Sequence, residues 1–150
     1  MYLPEYVLEL PSAGGGADIY MLEALLEDTF VKYSSNMGWL NPRVNAELVH
    51  AFSHFTYVHS EGRLMVTDLQ GSNKGTAFTL TDPAIHCPVD LRRFTGTNFG
   101  TDGVIAVLRS HVCGATCKAL GLKAVVTPGM APADVQYSLV SYVESCTIYE

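Results

Sequence analysis

The chain has 150 residues, 48% of them hydrophobic and only 16% charged, which is enough to bury the core of one domain and excludes a charge-rich disordered chain. Nine Lys and Arg against fifteen Asp and Glu leave a formal net charge of −6, which argues against a protein that wraps nucleic acid by releasing counterions. The acids are concentrated early: Glu5, Glu9, Asp18, Glu23, Glu27 and Asp28 precede the first base, Lys32. A secretory leader opens with positive charge and then an apolar run, whereas Met1 to Tyr6 holds a proline and an acid. No apolar stretch approaches the roughly 18 residues of a membrane span; Val104 to Leu108 stops at Arg109. The expectation is an intracellular protein without a membrane segment, in which Cys87, Cys113, Cys117 and Cys146 do not form a disulfide framework.

In chain order, Tyr6–Leu10 reads as a strand, and residues 11–16 (PSAGGG) as a turn whose glycines supply positive φ. Ile19–Leu26 reads as a buried strand or a helix start, and as a strand it closes a β-hairpin. Lys32–Gly38 is turn-prone. Asn45–Phe55 carries Leu48, Phe52 and Phe55 at helical spacing, predicting a helix. Thr56–Val58 and Leu64–Val66 flank residues 60–63 (SEGR), predicting a second hairpin that runs into Thr67–Gly71. After the glycine-rich stretch Gly96–Gly103, the apolar positions Val104, Ile105, Val107, Leu108 and Val112 fit a helix face, with Asp102 as its N-cap. A short helical segment over Cys117–Leu120 ends at Gly121 in the C′ position. From Val125 the composition changes, with Pro128, Gly129 and Pro132 before the mixed apolar segment Val135–Ile148.

Three groups of residues carry chemistry. His111, Cys113 and Cys117 are soft donors in a row. On a helix, Cys113 and Cys117 would share a face, and a tetrahedral zinc site would need a fourth ligand. His54 is the best candidate, with His50, His59 and His86 competing; the alternative is two buried cysteines beside an unrelated histidine. Asp68 and Gln70 follow an apolar strand two residues apart, so on extended chain they face one side. Joined by Asp82, they make a hard oxygen set suited to Mg²⁺ carrying phosphate, against the plainer reading of a strand followed by a polar turn. The Gly96–Gly103 loop could cradle an anion on backbone N–H groups or be merely flexible; it is neither a Walker loop nor a dinucleotide fingerprint. No nucleophile-elbow serine motif is present.

Taken together, five ordered motifs resemble the alpha-type (atypical) protein kinase family. They are residues 51–57 (AFSHFTY), 68–71 (DLQG), 80–86 (LTDPAIH), 96–100 (GTNFG), and His111-x-Cys113-x₃-Cys117 followed by Leu120-Gly-Leu122. Upstream, residues 22–27 (LEALLE) and 30–36 (FVKYSSN) resemble that family's hinge and the segment after it. The resemblance implies an α+β, protein-kinase-like C-terminal lobe over residues 19–122. It implies a remnant hairpin of the nucleotide lobe over 1–18, with the rest of the N-terminal lobe largely missing, a zinc-tied helical end, and a tail of unknown structure over 123–150.

The implied function is ATP-dependent phosphorylation of serine or threonine in a protein substrate. The implied roles are Asp68 as the catalytic carboxylate, Gln70 and Asp82 as Mg²⁺ ligands, and Glu23 and Leu26 at the hinge against adenine. The loop bearing Gly96, Asn98, Gly100 and Gly103 would lie near the peptide substrate, and His54, His111, Cys113 and Cys117 would be the Zn²⁺ ligands. The sequence departs from the family pattern in having no lysine or arginine before Glu23, and Ser34 and Ser35 where the family carries asparagines. The expectation is therefore impaired activity in this chain alone. The alternative is a non-catalytic, zinc-stabilised binding or regulatory module, able to self-associate or to pair with a missing N-terminal lobe.

Overall fold

A computed structural model describes residues 1–26 and 28–123. The change of composition read from Val125 onward, and most of the 123–150 tail, lie outside the described residues. Among the described residues, seven strands and three helices follow in order: β1 (Glu5–Pro11), β2 (Ala17–Glu23), β3 (Val31–Lys32), α1 (Glu47–His59), β4 (Met65–Thr67), β5 (Gln70–Lys74), β6 (Ala77–Thr81), β7 (Ala84–His86), α2 (Gly100–Ser110) and α3 (Ala115–Ala119), with a 3₁₀ turn at Thr95–Thr97. The strands form three small sheets, β1-β2, β3-β5-β6 and β4-β7. Contacts divide the described residues into two units, residues 1–31 with 71–81, and residues 32–70 with 82–123.

The first unit holds the expected hairpin. β1 and β2 pair antiparallel from Glu5 opposite Glu23 to Pro11 opposite Ala17, so Ile19–Leu26 opens as a strand and not as a helix. Gly15 and Gly16 take positive φ in the connecting turn, a conformation that costs glycine no Cβ clash. The register puts Tyr6, Leu8, Leu10, Tyr20 and Leu22 on one face, and all five are exposed, Tyr6 at 63%. β5 and β6 pair beside the amino-terminal residues, where Leu80 N–H donates to the Met1 carbonyl at 2.8 Å and Leu3 N–H to the Leu80 carbonyl at 2.9 Å.

The second unit is built around α1. This helix is longer than the periodicity predicts, running through Thr56–Val58 to His59. The expected hairpin across residues 60–63 is therefore corrected. Those residues form a turn in which Gly62 N–H donates to the Tyr57 carbonyl, and β4 pairs antiparallel with β7, Met65 opposite His86. Thr56 fits the helix because its hydroxyl donates to the Ser53 carbonyl and accepts from Val66 N–H, tying α1 to β4. Leu48 is exposed, and the buried face of α1 is Val49, Ala51, Ser53, His54 and Tyr57. Ala51 packs with Cys117 and Leu122 in a small core flanked by Phe55, Val58 and Cys113.

α2 starts at Gly100 with Phe99 as its N-cap, so Asp102 lies in the first turn and is not the cap expected from its position. Gly121 does take the positive-φ position after α3.

Candidate functional site

Asp68 ends the strand that precedes it. Its φ of 57° is left-handed, so the alternation expected of Asp68 and Gln70 on extended chain is broken at the aspartate itself. Leu69 is fully buried and fixes the turn. Its carbonyl accepts from Tyr33 N–H at 2.8 Å and Ser34 N–H at 3.2 Å, and its N–H donates to Ser34 Oγ at 3.2 Å. The Asp68 carboxylate, 21% exposed, is met by Lys32 Nζ at 2.8 Å. Gln70 Nε2 donates to the Asp82 backbone carbonyl at 3.2 Å, which leaves the Gln70 amide oxygen and the exposed Asp82 carboxylate to other partners. Asp82 also has a positive φ, 44°. The second unit thus holds a carboxylate met by an ammonium, and an amide side chain bonded to the backbone of a residue with an exposed carboxylate; carboxylate and amide oxygens are hard donors of the kind that Mg²⁺ takes.

Glu23 and Leu26 belong to the first unit. Glu23 closes β2, and its carboxylate accepts a hydrogen bond from the Thr81 hydroxyl; Leu26 is partly buried.

The glycine-rich loop has an internal scaffold. Asn98 is buried, and its Oδ1 accepts from Cys87 N–H (2.8 Å) and Gly100 N–H (2.9 Å), while its Nδ2 donates to the carbonyls of Asp90 (3.0 Å) and Arg93 (2.8 Å). His86, also buried, locks the loop to the turn that follows β3. Its Nδ1 accepts from Phe99 N–H at 3.1 Å, so Nε2 carries the proton that it gives to the Asn36 carbonyl at 2.6 Å. Burial pushes the His86 pKa below the usual histidine range, with the Asn36 bond opposing. Gly103 lies against the His86 ring, and a Cβ there would overlap it. Gly96 is exposed.

The four soft donors converge. His54, His111, Cys113 and Cys117 place one donor atom each within 4.8 Å of one another. His111 Nε2 lies 3.2 Å from Cys117 Sγ, and His54 Nδ1 lies 3.6 Å from Cys113 Sγ and 3.8 Å from Cys117 Sγ. Zinc bond lengths of 2.0–2.3 Å imply ligand-to-ligand edges of about 3.3–3.8 Å in a tetrahedron, close to the three separations above, and two imidazoles with two thiols are the donor chemistry that zinc takes. Cys113 precedes α3 and is not on it, so the two cysteines meet across a turn and not along one helix face.

The competing histidines are engaged elsewhere: His50 with the Tyr33 carbonyl, His59 stacked on Phe55, and His86 as above. Burial, then His54, hold the His111 pKa down at about 4, while burial and the Cys113 neighbour push the Cys117 thiol up to about 11. His111 therefore offers a free lone pair at neutral pH, and Cys117 needs a cation to lose its proton.

Glu47 was not singled out by motif reading, Lys32 was given no site role there, and His86 entered it only as a competing ligand. Glu47, on the first turn of α1, accepts a hydrogen bond from Thr116 N–H beside the cluster. No described helix is long and apolar enough to cross a membrane.

The alpha-kinase family model matches residues 1–117, and the chain belongs to that family. It is 41% identical over 101 residues to the alpha-protein kinase vwkA of Dictyostelium discoideum, a match covering 67% of this chain and 16% of that protein. It is 37% identical over 109 residues to elongation factor 2 kinase of Caenorhabditis elegans, covering 71% and 13%. The alpha-kinase domain of myosin heavy chain kinase A, solved in complex with ADP, superposes with a TM-score of 0.73 at 35% identity, covering 83% of this chain and 48% of that one. The same domain has also been solved with a phosphorylated aspartate. The chain thus spans about half of the solved kinase domain and a smaller part of the curated relatives. Its fold is that of the α+β kinase lobe implied by the motif order.

Proposed function

We infer that the chain carries the catalytic lobe of an ATP-dependent serine/threonine protein kinase, with Asp68 as the reacting carboxylate. The observation that supports this reading is the Lys32–Asp68 ion pair, beside the bond of Gln70 to the Asp82 backbone in the same unit. Phosphoryl transfer asks mainly for positioning and charge neutralisation. In this reading the Asp68 carboxylate accepts the proton of the substrate hydroxyl as the hydroxyl oxygen bonds to the γ-phosphorus of ATP, the bond from that phosphorus to the bridging oxygen breaks and ADP leaves, and Lys32 holds the carboxylate in place. Gln70 and Asp82 would hold Mg²⁺, which supplies neutralisation of the phosphate charge. Glu23 and Leu26 would meet adenine.

The loop bearing Gly96, Asn98, Gly100 and Gly103 would border the protein substrate. Asn98 shapes that loop through the backbone bonds it already makes. His54, His111, Cys113 and Cys117 would bind a structural Zn²⁺.

The test is transfer of labelled phosphate from MgATP to a basic protein by the 150-residue chain. Weak incorporation, reduced at least about 100-fold in Asp68→Asn, is expected for loss of a general base. Incorporation unchanged in that variant would refute the assignment.

A second reading, a partner-binding module, is favoured by the β1–β2 hairpin, whose strands are exposed along their whole length. Unpaired strand edges and apolar faces recruit other chains. Size-exclusion chromatography showing a monomer at high concentration would remove self-association from consideration.

A further inference from the structure

Glu47 stands in an arrangement that the kinase chemistry does not call for. α3 is only five residues long, and its N-cap is Gly114, which has no side chain to satisfy the first N–H groups of the helix. The missing acceptor comes from another element: Glu47 Oε1 takes the Thr116 N–H at 2.8 Å. Gly114 makes room for it, because a Cβ there would overlap the Glu47 carboxylate. Thr116 stands between Cys113 and Cys117, so the bond fixes the backbone of the segment that delivers both sulfurs. Glu47 and His54 are two helical turns apart on α1 and therefore on one face. A single face of α1 thus presents a metal-ligand candidate and, seven residues earlier, a carboxylate that grips the turn bearing the other candidates.

Resting on the zinc reading above, we propose that Glu47 is a positioning residue for the metal site. It clamps the Cys113–Cys117 turn onto α1 and pre-forms the donor set before the ion arrives. The clamp is a hydrogen bond, not a charge effect, so an amide in place of the carboxylate serves as well. Partners that orient ligands from outside the coordination sphere typically govern 10–100-fold of metal affinity.

The experiment measures Zn²⁺ affinity of the 150-residue chain by competition with a chromophoric chelator, together with the visible absorption spectrum of the Co²⁺-loaded protein. Glu47→Ala and Gly114→Ala are each expected to weaken Zn²⁺ binding about 10–100-fold and to shift or weaken the tetrahedral Co²⁺ bands. Glu47→Gln is expected to keep affinity within about threefold and the wild-type spectrum. Where Glu47→Ala does not fold, the contrast between Glu47→Gln and Gly114→Ala decides. Wild-type binding in both alanine variants overturns the clamp and leaves the zinc reading standing. So does a Glu47→Gln variant as weak as Gly114→Ala, which would show that charge matters and not the bond. A wild-type chain that binds neither Zn²⁺ nor Co²⁺ overturns the zinc reading itself.

Discussion

Lys32 is the first base in the sequence, and its Nζ lies 2.8 Å from the Asp68 carboxylate. Motif reading registered it as the end of an acidic stretch and as part of residues 30–36, and gave it no partner, because Asp68 lies far along the chain and the packing of the Tyr33–Ser34 segment onto Leu69 brings the two together. The contact is partly exposed, so its weight for stability is small; in the proposed kinase reading its importance lies in aim. Lys32→Met is expected to lower kcat by about 100-fold with little change in KM for ATP, the signature of a misplaced reacting group. Equal losses in kcat and ATP affinity would assign Lys32 to nucleotide binding instead. The left-handed backbone of Asp68 also bears on mutagenesis: asparagine tolerates that conformation, and β-branched residues do not. His86 was read from the sequence as a competing ligand, and its role as a backbone lock was hidden because a histidine inside residues 80–86 is as plausibly one as the other.

At the scale of elements, α1, α2 and the β1–β2 hairpin were legible from periodicity and glycine placement. Two errors share a cause: local propensity cannot tell where a helix stops when its end is held by tertiary bonds. Thr56–Val58 has strand composition but stays helical because the Thr56 hydroxyl is claimed on both sides. α2 begins before Asp102 because Asn98 and His86 hold the backbone just ahead of it.

The contact of α2 with β7 gives two predictions. Gly103→Ala forces a methyl into the His86 ring and is expected to cost about 1–3 kcal/mol, read by urea unfolding. Protonating His86 would abolish its acceptance from Phe99 N–H. Its folded pKa lies below the unfolded value near 6.5, so the unfolded chain binds more protons and stability falls as pH drops below about 6.5. Above that value this contribution is flat. At saturating zinc, the slope between pH 6.5 and 5 should flatten in His86→Leu; an identical slope would show that His86 does not carry it.

Over the whole molecule, the order of motifs was more informative than any one of them, and it carried the family assignment that the family model and the superposition show. The division of the described chain into two units was not legible, because residues 71–81 join the amino-terminal segment through long-range pairing such as that of Tyr2 with Leu80. In the zinc reading, Cys117 must lose its raised proton on binding, so affinity should climb as pH rises toward that of the thiol. Zinc at 100 times its Kd should raise Tm by about 5–10 °C over chelated protein. A Tm indifferent to chelator would contradict a structural ion.

His54 and Cys113 stand 59 residues apart. In the zinc reading, an ion joining them would close a loop that contains Asp68, Gln70, Asp82 and the whole glycine-rich stretch, with an entropic effect on the unfolded chain comparable to a disulfide over that span, about 4 kcal/mol. Unlike a disulfide, this closure persists under reducing conditions and opens to a chelator. A protease cut anywhere between the two ends would therefore leave both fragments joined under native conditions, to separate only when the metal is withdrawn.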